Sequence, residues 1–165
     1  MVDKEKDIVE VARELATTYH MGATDKYGNP YIDHLERVVD RVRDMEYDMV
    51  DETSHIGMYF AAAYLHDIIE DTPFNFDNNF DIADRGYMDI FPEAVVEAVK
   101  LLTRGTGETY GDYVTKIKLA PLLAGKIARV VKLADLFDHL MGPTPCPPNL
   151  IKRYEKSLYS LYGKK

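Results

Sequence analysis

Residues 122–140, LLAGKIARVVKLADLFDHL, are apolar on almost every side when wound at 3.6 residues per turn. A helix of that kind needs other elements packed around it. This segment therefore predicts a central buried helix. Asp135 lies inside it. A lone buried carboxylate is costly, or its pKa is driven upward, and a metal ion or strong cation relieves that cost.

The rest of the chain supplies partners for such a helix. Ile8, Val11, Ala12, Leu15, Ala16 and Tyr19 follow the i, i+3, i+4, i+7 spacing of one buried helical face. Asn29-Pro30 reads as an N-cap and first helical position, opening a helix with Ile32, Leu35, Val38, Val39 and Val42 inward. A third helix is predicted over about 51–71, stopped by Thr72-Pro73. Pro92 opens a fourth, with Ala94, Val95, Ala98, Val99 and Leu102 inward, and an amphipathic helix with Ile151, Tyr154 and Leu158 follows the loop GPTPCPPN. Alternating strand patterns and internal repeats do not stand out. The predicted fold is all-α, a helical bundle forming one domain over 1–165. The least regular stretch, 74–89, is expected to be a surface loop or short helix. Asp77, Asn79 and Asp81 hint at a calcium loop there, but Ile82 stands where its glycine belongs and Met88 where its glutamate belongs.

Several function classes recede on composition. No apolar run approaches the length of a membrane span. The opening MVDKEKDIVE is unlike a signal peptide, and Cys146 is the sole cysteine, so a cytoplasmic location is expected. A net charge of −8 argues against general nucleic-acid binding. Yet seven basic residues between Lys100 and Lys132 are opposed only by Glu108 and Asp112. They form either solvated helix faces or a basic wall facing an anionic ligand.

Within YLHDIIEDT, residues 64–72, a core-like run leads into His66, Asp67, Glu70 and Asp71. On a continuous helix these four share one arc, while Ala61, Ala62, Leu65, Ile68 and Ile69 occupy the opposite side. An exposed acidic helix end would account for the carboxylates alone. His34, near the buried face of its helix, and Asp135 argue for more. His34, His66, Asp67 and Asp135 together offer two imidazoles and two carboxylates, a donor set suited to manganese, iron or zinc.

The order His34, His66-Asp67, Asp135 resembles the H…HD…D pattern of the HD phosphohydrolase superfamily. GNPYIDH (28–34), LHDIIEDT (65–72) and VVKLAD (130–135) resemble the hydrolase domain of RelA/SpoT alarmone enzymes and of small stand-alone alarmone hydrolases. The resemblance implies a helical HD domain and one metal ion, usually manganese, held by those four residues. It also implies that Glu70 and Asp71 activate and position the attacking water. The reaction it implies removes pyrophosphate from the 3′ position of a guanosine tetra- or pentaphosphate, of the (p)ppGpp type, leaving GDP or GTP. The partner is then a small nucleotide, and the oligomeric state stays open.

Departures from the family pattern concern the substrate. The family carries an Arg nine residues before the first metal histidine, near the base; here that residue is Asp25, with Lys26 beside it. Asp25 cannot stack on a purine as a guanidinium does, so a looser base pocket is expected. Four residues past the last metal aspartate the family has an Asn near the nucleoside; here it is His139. In 101–117, Arg104, Tyr113 and Lys116 are candidates for phosphate or base contacts. His20 matches a family histidine, and a structural and a functional role fit it equally. Two alternatives stand beside an alarmone hydrolase: another HD nucleotide phosphohydrolase (a 5′-nucleotidase, or one acting on an adenine alarmone or signalling nucleotide), and a binding module without catalysis. Intact Glu70 and Asp71 speak against the last.

Overall fold

A computed structural model describes residues 4–49, 55–77 and 90–163. The helices are α1 (Lys4–Tyr19), α2 (Tyr31–Met49), α3 (Ile56–Leu65), a single turn α4 (Ile68–Asp71), α5 (Glu93–Leu102), α6 (Tyr110–Leu119), α7 (Leu122–Met141) and α8 (Pro148–Tyr162). Among the described residues no strand forms; one isolated bridge pairs Thr24 with Pro30. The predicted all-α bundle is observed.

Helix α7 is central, as its composition predicts. It packs against α2, α3, α5, α6 and α8, and Ile127, Ala128, Val131, Leu133, Ala134 and Leu136 are fully buried. Burying each large side chain contributes about 1.5–3 kcal/mol. Helix α3, which packs on α1, α2, α5 and α7, is the second buried element, with Ala61, Ala62, Ala63 and Leu65 at zero exposure. Alanine at three successive positions lets neighbouring backbones approach closely, so histidines on α2 and after α3 can meet a carboxylate on α7.

Four sequence readings are revised. First, α2 begins at Tyr31, and the Asn29 side chain donates to Asp25 instead of capping the helix. Second, the helix expected to run through residue 71 breaks at His66-Asp67; its start at 51–54 lies outside the described residues. The Ala63 carbonyl, whose helical partner would be the Asp67 amide, accepts instead from His66 Nδ1 at 2.7 Å. Third, α6 was not expected. Its start is marked by Thr109, whose hydroxyl accepts from the Asp112 amide at 3.1 Å, an N-cap legible as T-x-x-D. Fourth, the stretch from Phe74 does not begin as surface loop: Phe74 and Phe76 are buried, edge-on to each other with ring centres 5.0 Å apart. Residues 78–89, including the rejected calcium-loop positions Asn79, Asp81, Ile82 and Met88, lie outside the described residues.

Candidate metal centre

Three elements deliver the four ligand candidates to one point. His34 comes from the first turn of α2, His66 and Asp67 from the break between α3 and α4, and Asp135 from the middle of α7. His34, His66 and Asp135 are buried, at 6%, 1% and 2% exposure. Nε2 of His34 lies 3.3 Å from Asp135 Oδ1, Nε2 of His66 lies 3.6 Å from the same oxygen, and His66 Nε2 is 3.0 Å from Asp67 Oδ2. Ligand atoms of His34, His66 and Asp67 all fall within 4.8 Å of one another.

The remaining atoms of these side chains are held by the protein. His34 Nδ1 is 2.8 Å from Asp138 Oδ2, and His66 Nδ1 donates to a carbonyl. Both Nδ1 atoms therefore carry protons in the neutral rings, which leaves both Nε2 lone pairs aimed at the same point. Tyr31 donates its hydroxyl to Asp67 Oδ2, and Lys132 Nζ donates to Asp135 Oδ2 at 2.7 Å. What is left is informative. His34 Nε2, His66 Nε2 and Asp135 Oδ1 are buried without a hydrogen-bond partner. Buried polar atoms rarely go unpaired, and these three face one another.

Electrostatics point the same way. Burial opposes a positive charge on His66, yet Asp67 and Asp135 outweigh it and set its pKa well above that of a free imidazole. Burial likewise opposes ionisation of Asp135, but Lys132 and then His139 overcome it and hold its pKa well below the carboxylate range. The cluster keeps its carboxylates ionised and draws positive charge to the nitrogens between them. The donor set and its three unpartnered atoms fit a divalent transition-metal ion.

Sequence reasoning missed the outer support. Asp138 is buried at 3% exposure; besides His34 it accepts from Arg37 Nε at 3.0 Å and Nη2 at 3.1 Å and from Arg41 Nε at 3.2 Å. Burial opposes its charge, and the hydrogen bonds from His34 and Arg37 overcome that and hold its pKa far down. Asp138 stands three residues after Asp135, and Arg37 three after His34, so their shared helical faces were visible in the sequence. Tyr31 was missed as well. Its ring lies 4.9 Å from that of His20, whose 5% exposure makes it a buried backing for Tyr31.

The predicted catalytic pair ends α4, beside the cluster. Glu70 is exposed and accepts from the Arg104 amide at 2.9 Å, which ties α4 to the loop after α5. Burial first, and then the negative charges of Asp67 and Glu70, raise the Asp71 pKa above its ordinary value, the direction a proton acceptor needs. Ile69, Glu70, Thr103, Arg104, Gly105 and Thr106 line a shallow depression there.

The expected substrate contacts divide. Arg104 stands at that depression, with its Nε donating to the Glu108 carbonyl at 2.8 Å. Lys116 Nζ is 3.0 Å from Glu108 Oε2. Tyr113 is a core residue, 3% exposed, and its hydroxyl donates to the Leu102 carbonyl at 2.6 Å. His139 lies at the metal cluster, with Nε2 3.1 Å from Asp135 Oδ1. Lys26 is exposed, stacked over Tyr27. Much of the basic stretch is engaged within the fold. Lys100 pairs with Glu97, Lys116 with Glu108 and Lys132 with Asp135, while Arg129 donates to the Ala120 carbonyl at 2.7 Å. Asp25 has a role of its own. Its carboxylate accepts from the Tyr27 and Asn29 amides, the Asn29 side chain and the Thr144 hydroxyl, and the Asn29 side chain leads the causes that hold its pKa at about 2.

No protein-family profile matches the chain. Among solved structures it is similar to a metazoan ortholog of SpoT that hydrolyzes ppGpp and plays a role in starvation responses, with a TM-score of 0.63 and 20% identity over 94% of this chain and 86% of that one. The chain shares the helical fold of that protein. At this identity the likeness speaks for the fold alone, and the packing of α2, α3 and α7 accounts for how residues a hundred positions apart converge. No helix among the described residues is long and apolar enough to cross a membrane.

Proposed function

We propose that the chain is a metal-dependent nucleotide phosphohydrolase acting, as one domain over 1–165 in the cytoplasm, on a 3′-pyrophosphate of the (p)ppGpp type. The observation that carries this reading is the convergence of three unpartnered buried ligand atoms beside two carboxylates at the end of α4. His34, His66, Asp67 and Asp135 would hold one divalent ion, manganese by the sequence resemblance, with iron or zinc as alternatives. Such an ion supplies the Lewis acidity that polarises a phosphoryl oxygen and acidifies water. Asp71, with its raised pKa, accepts the proton that water loses on attack at phosphorus. Glu70, fixed by the Arg104 amide, orients that water. General-base assistance of this kind is worth roughly 10²–10⁴-fold. The bond between phosphorus and the ribose 3′-oxygen breaks as water adds, pyrophosphate leaves, and the proton taken up by Asp71 passes to that oxygen to give the 3′-hydroxyl.

A second reading, a different HD nucleotide phosphohydrolase, is favoured by one observation. Asp25 is engaged in holding its own loop to Thr144 and supplies no cation at the base position. Incubating the protein with manganese and guanosine or adenosine 3′-pyrophosphates, 5′-monophosphates and cyclic nucleotides separates the two. Pyrophosphate release from the guanosine 3′-pyrophosphates supports the proposal. Inactivity on every 3′-pyrophosphate, with phosphate released from a 5′-monophosphate, assigns the chain to the second reading. Glu70→Gln and Asp71→Asn should keep stoichiometric metal and lose turnover by orders of magnitude.

A further inference from the structure

The sequence resemblance places residue 139 near the nucleoside. The geometry gives it a second set of neighbours. His139 stands one turn after Asp135 on the same face of α7, and its Nε2 lies 3.1 Å from Asp135 Oδ1. That oxygen therefore has three imidazole nitrogens around it: His139 at 3.1 Å, His34 at 3.3 Å and His66 at 3.6 Å. Two atoms each about 2.1 Å from a common ion lie about 3.0 Å apart at a right angle and about 3.4 Å apart at a tetrahedral angle. The three separations fall close to that range. Asp135 Oδ1 is itself buried without a hydrogen-bond partner, as is His34 Nε2.

We infer that His139 is a third imidazole ligand of the metal centre. His34, Asp135 and His139 form a ligand group of their own, their donor atoms within 4.8 Å of one another, in addition to the group of His34, His66 and Asp67. The two groups share His34, and Asp135 Oδ1 bridges them through its approach to His66. One ion at the common point reaches both. The ring of His139 is held for that task from two sides: its centre is 5.0 Å from the His34 ring and 5.3 Å from the Tyr154 ring, at 32° to each. Its side chain keeps 42% exposure, so burial of the ring in the core is not what holds it there.

The chemical consequence is a set of three nitrogens and two carboxylates in place of two and two. Imidazole suits zinc, iron, copper and nickel, whereas manganese favours oxygen ligands. The third imidazole therefore shifts preference away from manganese and toward zinc or iron. This inference rests on the metal-centre reading proposed above and adds one ligand to it.

The test uses the full chain, stripped of metal with a chelator and loaded with cobalt(II), whose unpaired electrons shift the ring protons of every bound imidazole far outside the ordinary proton NMR window. Wild type should show three shifted imidazoles. His139→Asn should show two, bind cobalt at least about tenfold more weakly in a visible-absorption titration, and lose less affinity for manganese than for cobalt. Three shifted imidazoles in wild type carry the inference even if the variant is unstable. Two in wild type, or an unchanged count and cobalt Kd in folded His139→Asn, overturns it and leaves the four-ligand centre standing. A wild-type protein that binds neither cobalt, zinc nor manganese overturns both readings.

Discussion

Asp138→Asn tests whether the metal centre is oriented from behind. The carboxylate is buried and accepts from His34 Nδ1 at 2.8 Å and from the guanidinium groups of Arg37 and Arg41. An asparagine keeps the shape but offers one oxygen and one NH2, so either His34 or the arginines must face a donor. Two charge-assisted hydrogen bonds are lost, each worth about 1.5–3 kcal/mol. The arginine side chains are 29% and 26% exposed and regain water, which offsets part of that cost. The net loss is about 2–4 kcal/mol, somewhat less than the roughly 3–5 kcal/mol for breaking a fully buried ion pair. Urea unfolding should show it as a lower midpoint at constant slope, and Tm should fall by roughly 5–15 °C. Metal affinity should fall about 10–100-fold, because a ring freed at Nδ1 no longer presents Nε2 in a fixed direction. Retention of both stability and metal affinity within twofold would show that Asp138 does not orient His34.

Other consequences are open to direct measurement. Saturating manganese at a hundred times its Kd should stabilise the metal-free protein by about 2.7 kcal/mol, and His66→Ala, Asp67→Ala and Asp135→Ala should each abolish the effect; an unchanged wild-type Tm refutes the site. Tyr31→Phe keeps the ring on His20 but frees Asp67, so it should cost about 1–3 kcal/mol in chemical denaturation and weaken metal binding. Asp25→Arg removes the acceptor for three donors on its own loop and one on Thr144, so it should raise the nucleotide KM, even though a guanidinium at that position suits a purine; a lowered KM would show the loop to be dispensable. Leu133→Ala, at zero exposure in the central helix, should cost about 2–5 kcal/mol and identify α7 as the core by urea unfolding.

The bundle was legible because its helices repeat apolar residues at helical spacing, and α7 most of all. The clustering of His34, His66, Asp67 and Asp135 was legible because a buried histidine and a buried aspartate each need polar partners. The break at His66-Asp67 was not, since the residues around it continue a helical pattern; what ends the helix is an imidazole taking a backbone carbonyl. The role of Asp25 was hidden for a related reason. Comparison with a family pattern shows that an arginine is absent, whereas only the folded loop shows four donors gathered on the residue that replaced it. The pairing within the basic stretch was not legible, because charge counted along the chain ignores it. Lys132 counts as surface charge in the sequence and is buried against Asp135 in the fold.

That buried pair limits what Asp135 could offer a metal ion. Lys132 occupies Oδ2 of Asp135 and leaves Oδ1 open, so the aspartate is restricted to a single-oxygen ligand and one of the two carboxylate charges is already neutralised from within. With neutral imidazoles, a divalent ion at this point carries more charge than the remaining carboxylate cancels. On the proposed function the ion would then keep about one positive charge within its own ligand shell, set against the carboxylates of Glu70 and Asp71 beside it. If the proposed function holds, Lys132 lowers the negative charge that a polyanion would meet at the ion, and does so from a buried position behind Asp135.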